Sequence, residues 1–368
     1  MPRLPHALLL QAYNISPLLP LVLRGTRTLE SAINELRWFR EHVQESSTGG
    51  STAQGIPTPL LNRKLLQLCQ RRAYGEPLQY ILGSQPFGEL DIKCRPGVRP
   101  ETEAYTTHLA KLLSDGHLNH ELSHNSGSNP LDDAKHSPLK IVDLCSGTGC
   151  ISLLLYSILL RKFPQLHITG WDISNAAISL ARKNLRTNIT QGHMTSPASH
   201  PLVQVKFDKV DIFSNLTEQQ KQDLECDVLI SNPPYISKEG FNRETSRSVR
   251  NWEPKLALVP KLSPTTTSVA PEDIFYERIT DLRMKVAKSR VLLMEVGDDR
   301  QAIRIARMAM GKASPGQRDV IQIWRDWPDQ PPDGDEEQQL VIDGQTVPLI
   351  GSGKMRAVFL YSQTQVPN

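Results

Sequence analysis

From Ile141 onward the chain repeats one pattern: a short apolar run, a turn, then a segment with apolar positions at helical spacing. The runs 141–144, 166–171, 203–207, 226–230, 291–296, 320–324 and 356–361 each read as strands. Near-continuous apolar strands are those buried on both faces, and their alternation with helices predicts a parallel sheet covered on both sides. The expected fold class is therefore α/β. Upstream the period changes. Residues 28–43 and 60–72 carry helical spacing and flank the polar stretch 45–52, while short extended stretches from Gln85 to Pro100 predict a hairpin. The expected organisation is a helical domain over 15–84, a hairpin linker over 85–100 and an α/β domain over 101–368. Surface insertions near 114–138, 191–201 and 260–271 are rich in Ser, Thr, Pro, Gly, Asn or His.

One turn carries the most chemistry. The run Cys226–Ile230 ends in Ser231-Asn232-Pro233-Pro234-Tyr235. Each proline fixes φ near −65° and lacks an N–H, and each restricts the residue before it. The result is a stiff segment presenting one amide side chain, bare carbonyls and one aromatic ring. Such a set can hold a planar –NH2 group, with Asn232 Oδ1 and a proline carbonyl accepting its hydrogens and Tyr235 packing on the flat face. A strand end closed by a proline turn with a buried tyrosine would explain the same residues without a ligand.

The run at 141–144 leads into Cys145-Ser146-Gly147-Thr148-Gly149 and then a strongly apolar helix. Gly147 and Gly149 allow a sharp turn and close approach of a ligand. Asp143 lies at the strand end. The third glycine of the dinucleotide fingerprint would fall at Ser152, which disfavours a dehydrogenase. Asp172 ends the next strand, where a nucleoside ribose is held by its hydroxyls; a helix-start acid with Ser174 as cap is the plainer explanation. Asp211 and Ile212 follow the third strand as a polar–apolar pair suited to an adenine edge and face, or as an ordinary strand exit.

Taken in order, Asp143, Gly147, Gly149, Asp172, Asp211 and Asn232–Tyr235 resemble a class I S-adenosylmethionine-dependent methyltransferase. The chain is similar, more narrowly, to the HemK/PrmC family of protein-(glutamine-N5) methyltransferases of peptide chain release factors, in its fungal-type mitochondrial form. That likeness rests on Arg72-Ala73-Tyr74-Gly75-Glu76-Pro77-Leu78-Gln79-Tyr80-Ile81-Leu82-Gly83, Phe87-Gly88 and Arg99-Pro100-Glu101-Thr102-Glu103. It continues through Glu253-Pro254, Leu256-Ala257-Leu258, Glu272-Asp273-Ile274-Phe275-Tyr276 and Leu292-Leu293-Met294-Glu295-Val296-Gly297. Cys145 stands where the family usually has glycine, and Val98 where it has proline.

The resemblance implies a seven-stranded, mostly parallel, doubly wound sheet whose last strand is antiparallel, with a small N-terminal helical domain that docks the protein substrate. It implies S-adenosyl-L-methionine as methyl donor, S-adenosyl-L-homocysteine as product, and the glutamine of a release factor's Gly-Gly-Gln as acceptor. Asp143, Cys145, Ser146, Gly147, Thr148, Gly149, Asp172, Asp211, Ile212, Asn232 and Thr102 would surround the cofactor. Asn232, Pro233, Pro234 and Tyr235 would hold the glutamine amide. The enzyme rival is a DNA or RNA adenine-N6 methyltransferase, whose flipped base offers the same –NH2. A methyltransferase-like factor that binds release factor or ribosome without catalysis is the other alternative.

Composition narrows these choices. The 368 residues carry 42 Lys and Arg against 39 Asp and Glu, a net charge of +3 without a long basic block, so direct nucleic-acid binding is not expected. Cys69, Cys94, Cys145, Cys150 and Cys226 show no C-x-x-C spacing and read as reduced thiols rather than metal ligands or disulfides. His117, His120, His124 and His136 are irregularly spaced in a polar loop, so no metal site is expected. No apolar stretch reaches about 18 residues, and no membrane span is expected. Arg3, Arg24 and Arg27 precede the first acid, Glu30, a pattern compatible with a mitochondrial targeting segment over 1–14; a cytoplasmic location is the alternative. A monomer is expected.

Overall fold

The computed structural model describes residues 4–48, 58–93, 98–116, 118, 138–243, 245, 247–261, 269–312 and 318–363. It divides into two compact units, Met1–Gln85 with Cys94–Gly97 and Glu244–Pro254, and Pro86–Lys93 with Val98–Arg243 and Lys255–Asn368. These boundaries differ from the sequence expectation in two ways. The hairpin belongs to the α/β unit, and the segment 244–254 groups with the helical unit. The four histidines of the 114–138 insertion and residues 262–268 of the third insertion lie outside the described residues.

The first unit contains the helices α1 (His6–Ile15), α2 (Leu19–Thr26), α3 (Leu29–Thr48), α4 (Thr58–Ala73) and α5 (Leu78–Leu82). They close around Ala12, Leu19, Val22, Leu23, Leu36, Phe39, Cys69 and Ile81. Ala12 is fully buried, with Leu8 and Leu9 packed on the same core, so residues 6–14 contribute to this unit. Their apolar run serves packing, which a targeting pattern does not distinguish. Gly25 is required by contact: a Cβ there would lie 2.8 Å from the Arg72 carbonyl. Arg71 and Arg72 resemble a solvated pair in the sequence but are both engaged. Arg72 Nε and Nη2 donate to Glu35 at 2.6 and 3.1 Å, and Arg71 Nε donates to Glu76 at 2.7 Å.

The second unit is built on a nine-stranded sheet. After the hairpin β1 (Gln85–Phe87) and β2 (Leu90–Ile92) and the helix α6 (Pro100–Ser114) come β3 (Leu139–Leu144), β4 (Leu166–Asp172), β5 (Val203–Lys209), β6 (Val228–Ser231), β7 (Val291–Glu295), β8 (Arg318–Trp327), β9 (Gln339–Ile342), β10 (Gln345–Ile350) and β11 (Ser352–Gln363). The order across the sheet is β5-β4-β3-β6-β7-β11-β8-β10-β9. β11 runs antiparallel to both β7 and β8, whereas β3 to β7 pair in parallel. The two-sided burial expected of the central strands is present. Ile141, Leu293 and Val291 join one apolar cluster, while their neighbours Val142, Leu292 and Met294 join the cluster on the opposite face.

Seven strands match the expected set. The additional β9–β10 hairpin follows the acidic loop at 329–337 and adds β10 parallel to β8. Its two-residue turn, Asp343-Gly344, has φ of +49° and +81°. An Asp-Gly pair between apolar runs is a strong hairpin signal, because both positions must adopt positive φ.

The β1–β2 hairpin is clamped onto the helix Asn175–Thr190 by two buried asparagines. Asn184 Oδ1 accepts from the Lys93 N–H at 3.0 Å, and its Nδ2 donates to the carbonyls of Lys93 and Thr148 at 3.0 and 2.9 Å. Asn188 repeats the clamp on Asp91, accepting at 2.8 Å and donating at 2.9 Å. Phe87, Leu90 and Ile92 complete the contact in the core. Asn184→Ala would leave three backbone groups without their partner, so it is expected to lower stability by about 2–4 kcal/mol. Urea unfolding measures this, and a loss below about 1 kcal/mol would show that the clamp is incidental.

Candidate active site

The strand order fixes where a site can form. From β3 the sheet grows in one direction through β4 and β5, and in the other through β6 and β7. Ligands of doubly wound sheets lie at the carboxyl ends of the strands flanking such a reversal. Here the flanking strands are β3 and β6, and they deliver the Cys145–Gly149 turn and the Asn232–Tyr235 turn. Leu144 and Ser231 are register partners, and Ser231 Oγ donates to the Leu144 carbonyl at 2.8 Å. The two turns are thereby tied at their roots.

The glycine turn is shaped by left-handed backbone. Gly147 and Gly149 have φ of +53° and +76°. A Cβ on Gly149 would lie 2.9 Å from both Ala181 and the Phe207 ring, so close helix–strand packing requires glycine there. At Gly147 a Cβ would meet only the Cys145 carbonyl at 3.9 Å, leaving open space beside the turn. Cys145, standing where the family usually has glycine, also adopts positive φ, +61°. The chain thus retains the glycine conformation without the glycine.

Asp172 and the turn are coupled. Gly147 N–H donates to Asp172 Oδ2 at 2.9 Å and Ser174 N–H donates to Oδ1 at 2.8 Å. Ser174 also caps the helix that follows, accepting from Ala177 N–H. Asp172 therefore anchors the glycine turn and the start of the helix that follows. Burial pushes its carboxyl above the usual range, opposed by those N–H donors.

Asp143 is fully buried. Ser152, at the third-glycine position of the dinucleotide pattern, donates to its Oδ2 at 2.7 Å. Burial pushes the Asp143 carboxyl up to about 7. Among the described residues, Asp143 Oδ1, Ser146 Oγ and Trp171 Nε1 are buried polar atoms without a hydrogen-bond partner. Orphaned polar atoms around a turn with an open glycine side fit a ligand bearing hydroxyl, amine and purine groups. S-adenosylmethionine is such a ligand.

Asp211 and Ile212 lie at the exit of β5. Asp211 Oδ1 accepts from Phe213 N–H at 2.9 Å, closing an Asx turn, and Ile212 is buried in an apolar cluster with its carbonyl accepting from Arg278. The exposed Phe213 ring stacks edge-on against Phe275.

The proline turn converges on a residue to which sequence reasoning gave no role. Glu295 ends β7 and is fully buried. Its Oε2 accepts from Asn232 Nδ2 at 2.8 Å, Thr102 Oγ1 at 2.7 Å and Tyr105 OH at 2.9 Å. Its Oε1 accepts from Tyr235 OH at 3.1 Å. Thr102, which the resemblance places beside the cofactor, reaches this carboxylate from α6. Its hydroxyl is buried and committed to this carboxylate. The legible signal for Glu295 was an acid closing an otherwise apolar strand, because a buried charge needs dedicated partners.

Further contacts fix the turn. Tyr276 OH donates to the Glu295 carbonyl at 2.8 Å. Gln301 Nε2 donates to the Tyr235 carbonyl at 3.3 Å and to Asp273 at 2.9 Å, while its Oε1 accepts from Gly297 N–H at 2.8 Å. A Cβ at Gly297 would lie 2.9 Å from the Tyr235 ring. The Arg99 guanidinium sits 6.0 Å from that ring's centroid. Burial, then the Glu295 carboxylate, pushes the Tyr235 phenol well up, so it remains a hydrogen-bond donor.

A methyltransferase-domain family model matches residues 135–265. The mitochondrial MRF1 N(5)-glutamine methyltransferase MTQ1 of Saccharomyces cerevisiae is 33% identical over 266 residues, covering 71% of this chain and 69% of that protein. A probable mitochondrial MRF1 N(5)-glutamine methyltransferase of Schizosaccharomyces pombe is 34% identical, covering 70% of this chain and 74% of that protein. A release factor glutamine methyltransferase of Bacteroides thetaiotaomicron is 31% identical, covering 60% and 62%. Fold and site define a class I S-adenosylmethionine-dependent methyltransferase. The chain belongs, within that class, to the release factor N(5)-glutamine methyltransferase family.

Two outcomes follow from the turn. At position 145, Cys145→Gly is expected to be more stable than Cys145→Ala by about 1 kcal/mol, because left-handed backbone penalises any Cβ. Chemical denaturation of the pair measures it; the ordinary order, alanine above glycine, would contradict the strain. For Asp143, a folded-state carboxyl near 7 against 3.8 unfolded means that folding takes up a proton. Its contribution is full below about pH 4 and lost as pH rises to about 7. Asp143→Asn should therefore gain stability relative to the parent on going from pH 5 to pH 8. Parallel pH profiles in urea unfolding would contradict that placement.

Proposed function

We propose that this chain methylates the side-chain nitrogen of the glutamine in a release factor's Gly-Gly-Gln, acting as a monomer in mitochondria. The observation that carries the proposal is the orientation of Asn232. Its Nδ2 donates to Glu295, so its Oδ1 is the other end of the amide, beside a turn suited to the cofactor. When bound, S-adenosylmethionine supplies a sulfonium-borne methyl carbon; the amide nitrogen's pair forms the new bond, the old bond's pair returns to sulfur, and the displaced proton leaves to solvent.

An amide nitrogen is a weak nucleophile because its lone pair is delocalised into the carbonyl. Asn232 Oδ1 and the Pro233 carbonyl accept its two N–H groups and aim the nitrogen. Their attraction grows as positive charge develops on nitrogen, so stabilisation is greater in the transition state than in the ground state. Holding the reacting atoms together accounts for a further share of the barrier, on the order of 7–11 kcal/mol in well-oriented cases. Tyr235, held through its hydroxyl and carbonyl, packs against the acceptor and excludes water. Asp172 and the Gly147 side of the turn hold the ribose, and Asp211 and Ile212 the adenine. Glycines flanking the target glutamine let that loop enter a narrow site.

The mitochondrial location is supported by the names of the two yeast relatives and by the acid-free, arginine-bearing stretch before Glu30. The helical unit is the candidate docking element for the release factor.

Asn232→Ala is expected to lower turnover by roughly 100-fold or more while leaving cofactor affinity within about threefold. Asp172→Ala is expected to weaken cofactor binding by about tenfold or more, since it removes a ligand and leaves the Gly147 and Ser174 N–H groups without an acceptor. Calorimetric cofactor binding and methyl transfer to a Gly-Gly-Gln release factor, followed by mass analysis of the product, measure both. Wild-type turnover by Asn232→Ala, or methylated adenine in duplex DNA with an unlabelled release factor, would overturn the assignment.

A further inference from the structure

We propose that Glu295 is a positioning residue for methyl transfer: its carboxylate decides which atom of the Asn232 amide faces the acceptor. The inference rests on the function proposed above and concerns the same site. An asparagine amide is nearly symmetric in shape but opposite in chemistry at its two ends. A half-turn about its last side-chain bond exchanges an acceptor for a donor. The proline turn fixes the backbone at position 232 but not that half-turn. Were Nδ2 to face the substrate, a donor would meet the –NH2 of the glutamine, and binding would be repulsive.

Glu295 removes the ambiguity. A carboxylate only accepts, so the end of Asn232 that meets it at 2.8 Å is the nitrogen. The reverse arrangement would set two oxygens against each other in a site with no exposure at Glu295, where an unpaired polar contact is most costly. The carboxylate cannot rotate away. Thr102 and Tyr105 hold the same oxygen from α6, Tyr235 holds the other, and Tyr276 holds the backbone carbonyl. One side chain therefore grips both the first and the last residue of the Asn232–Tyr235 turn.

Charge type, more than size, is what this role requires. Glutamine at 295 would match the shape but replace one acceptor oxygen with an –NH2. If the –NH2 takes the Oε2 place, Asn232 either faces donor with donor or turns over, and the substrate loses its acceptor; if it takes the Oε1 place, the Tyr235 hydroxyl loses the acceptor that holds the far end of the turn.

The test exchanges the two groups. Glu295→Gln is expected to lower kcat/KM by roughly 100-fold toward a Gly-Gly-Gln release factor, with cofactor affinity within about threefold. A merely structural role would instead move cofactor affinity and thermal stability together with kcat/KM. Asn232→Asp alone places two carboxylates face to face and should be nearly inactive. The double variant Asn232→Asp with Glu295→Gln rebuilds the pair in reverse, one aspartate oxygen accepting from the glutamine and the other facing the substrate. It should recover at least about tenfold over Asn232→Asp, even if Glu295→Gln alone folds poorly. Near-wild-type turnover by Glu295→Gln, or a double variant no better than Asn232→Asp, would overturn the inference.

A wild-type chain inert toward Gly-Gly-Gln release factors would count against the proposed function instead. Proton exchange at the Asn232 side-chain amide, followed by NMR, then decides for Glu295. Slow exchange in the wild type and fast exchange in Glu295→Gln support the inference; equal exchange overturns it.

Discussion

A single buried carboxylate, that of Glu295, organises the reactive end of this molecule. Four side-chain donors reach it from two separate elements: Thr102 and Tyr105 of α6, and Asn232 and Tyr235 of the turn after β6. A charge so placed is unfavourable unless each lone pair is met, and here the donors meet it. Its partners are therefore rigid for an energetic reason. Removing any one leaves the charge under-solvated, so the constellation behaves as a unit. The chemistry of the acceptor turn inherits that rigidity.

The sheet makes the arrangement possible. Reversal of strand order at β3 and β6 leaves a crevice at their carboxyl ends, and β7 beside β6 delivers Glu295 to the same edge. The cofactor turn is held by a second, independent set of contacts. Asp172 fixes Gly147, Ser152 fixes Asp143, and Asn184 fixes the Thr148 carbonyl. Ser231 Oγ on the Leu144 carbonyl joins the two sets at their bases. The two sets can thus be perturbed separately, which is why substitutions at Asp172 and Asn232 are expected to affect different steps.

Much of this was legible in the chain. Uninterrupted apolar runs gave away the doubly buried strands, and paired prolines after Asn232 marked a stiff acceptor turn. Gly147 and Gly149 marked the sharp turn after β3 because their positions demand positive φ. What stayed hidden was long-range. Glu295 and Thr102 are 193 residues apart, and no local spacing announces that they meet. The same holds for Asn184 and the hairpin at 85–92. The Asp343-Gly344 turn is a different case: its signal is local, yet β9 and β10 are not among the runs read as strands. The unit boundaries were blurred for a topological reason, since the segment 244–254 leaves the α/β unit and 255 returns to it.

The Asn232 oxygen turned away from Glu295 is the group on which the proposed chemistry depends. A crystal structure with S-adenosylhomocysteine and a Gly-Gly-Gln segment bound tests it most directly. The glutamine nitrogen should lie about 3 Å from both Asn232 Oδ1 and the Pro233 carbonyl, with Nδ2 still on Glu295. A glutamine nitrogen held elsewhere, or an Asn232 amide turned away from Glu295, would contradict it.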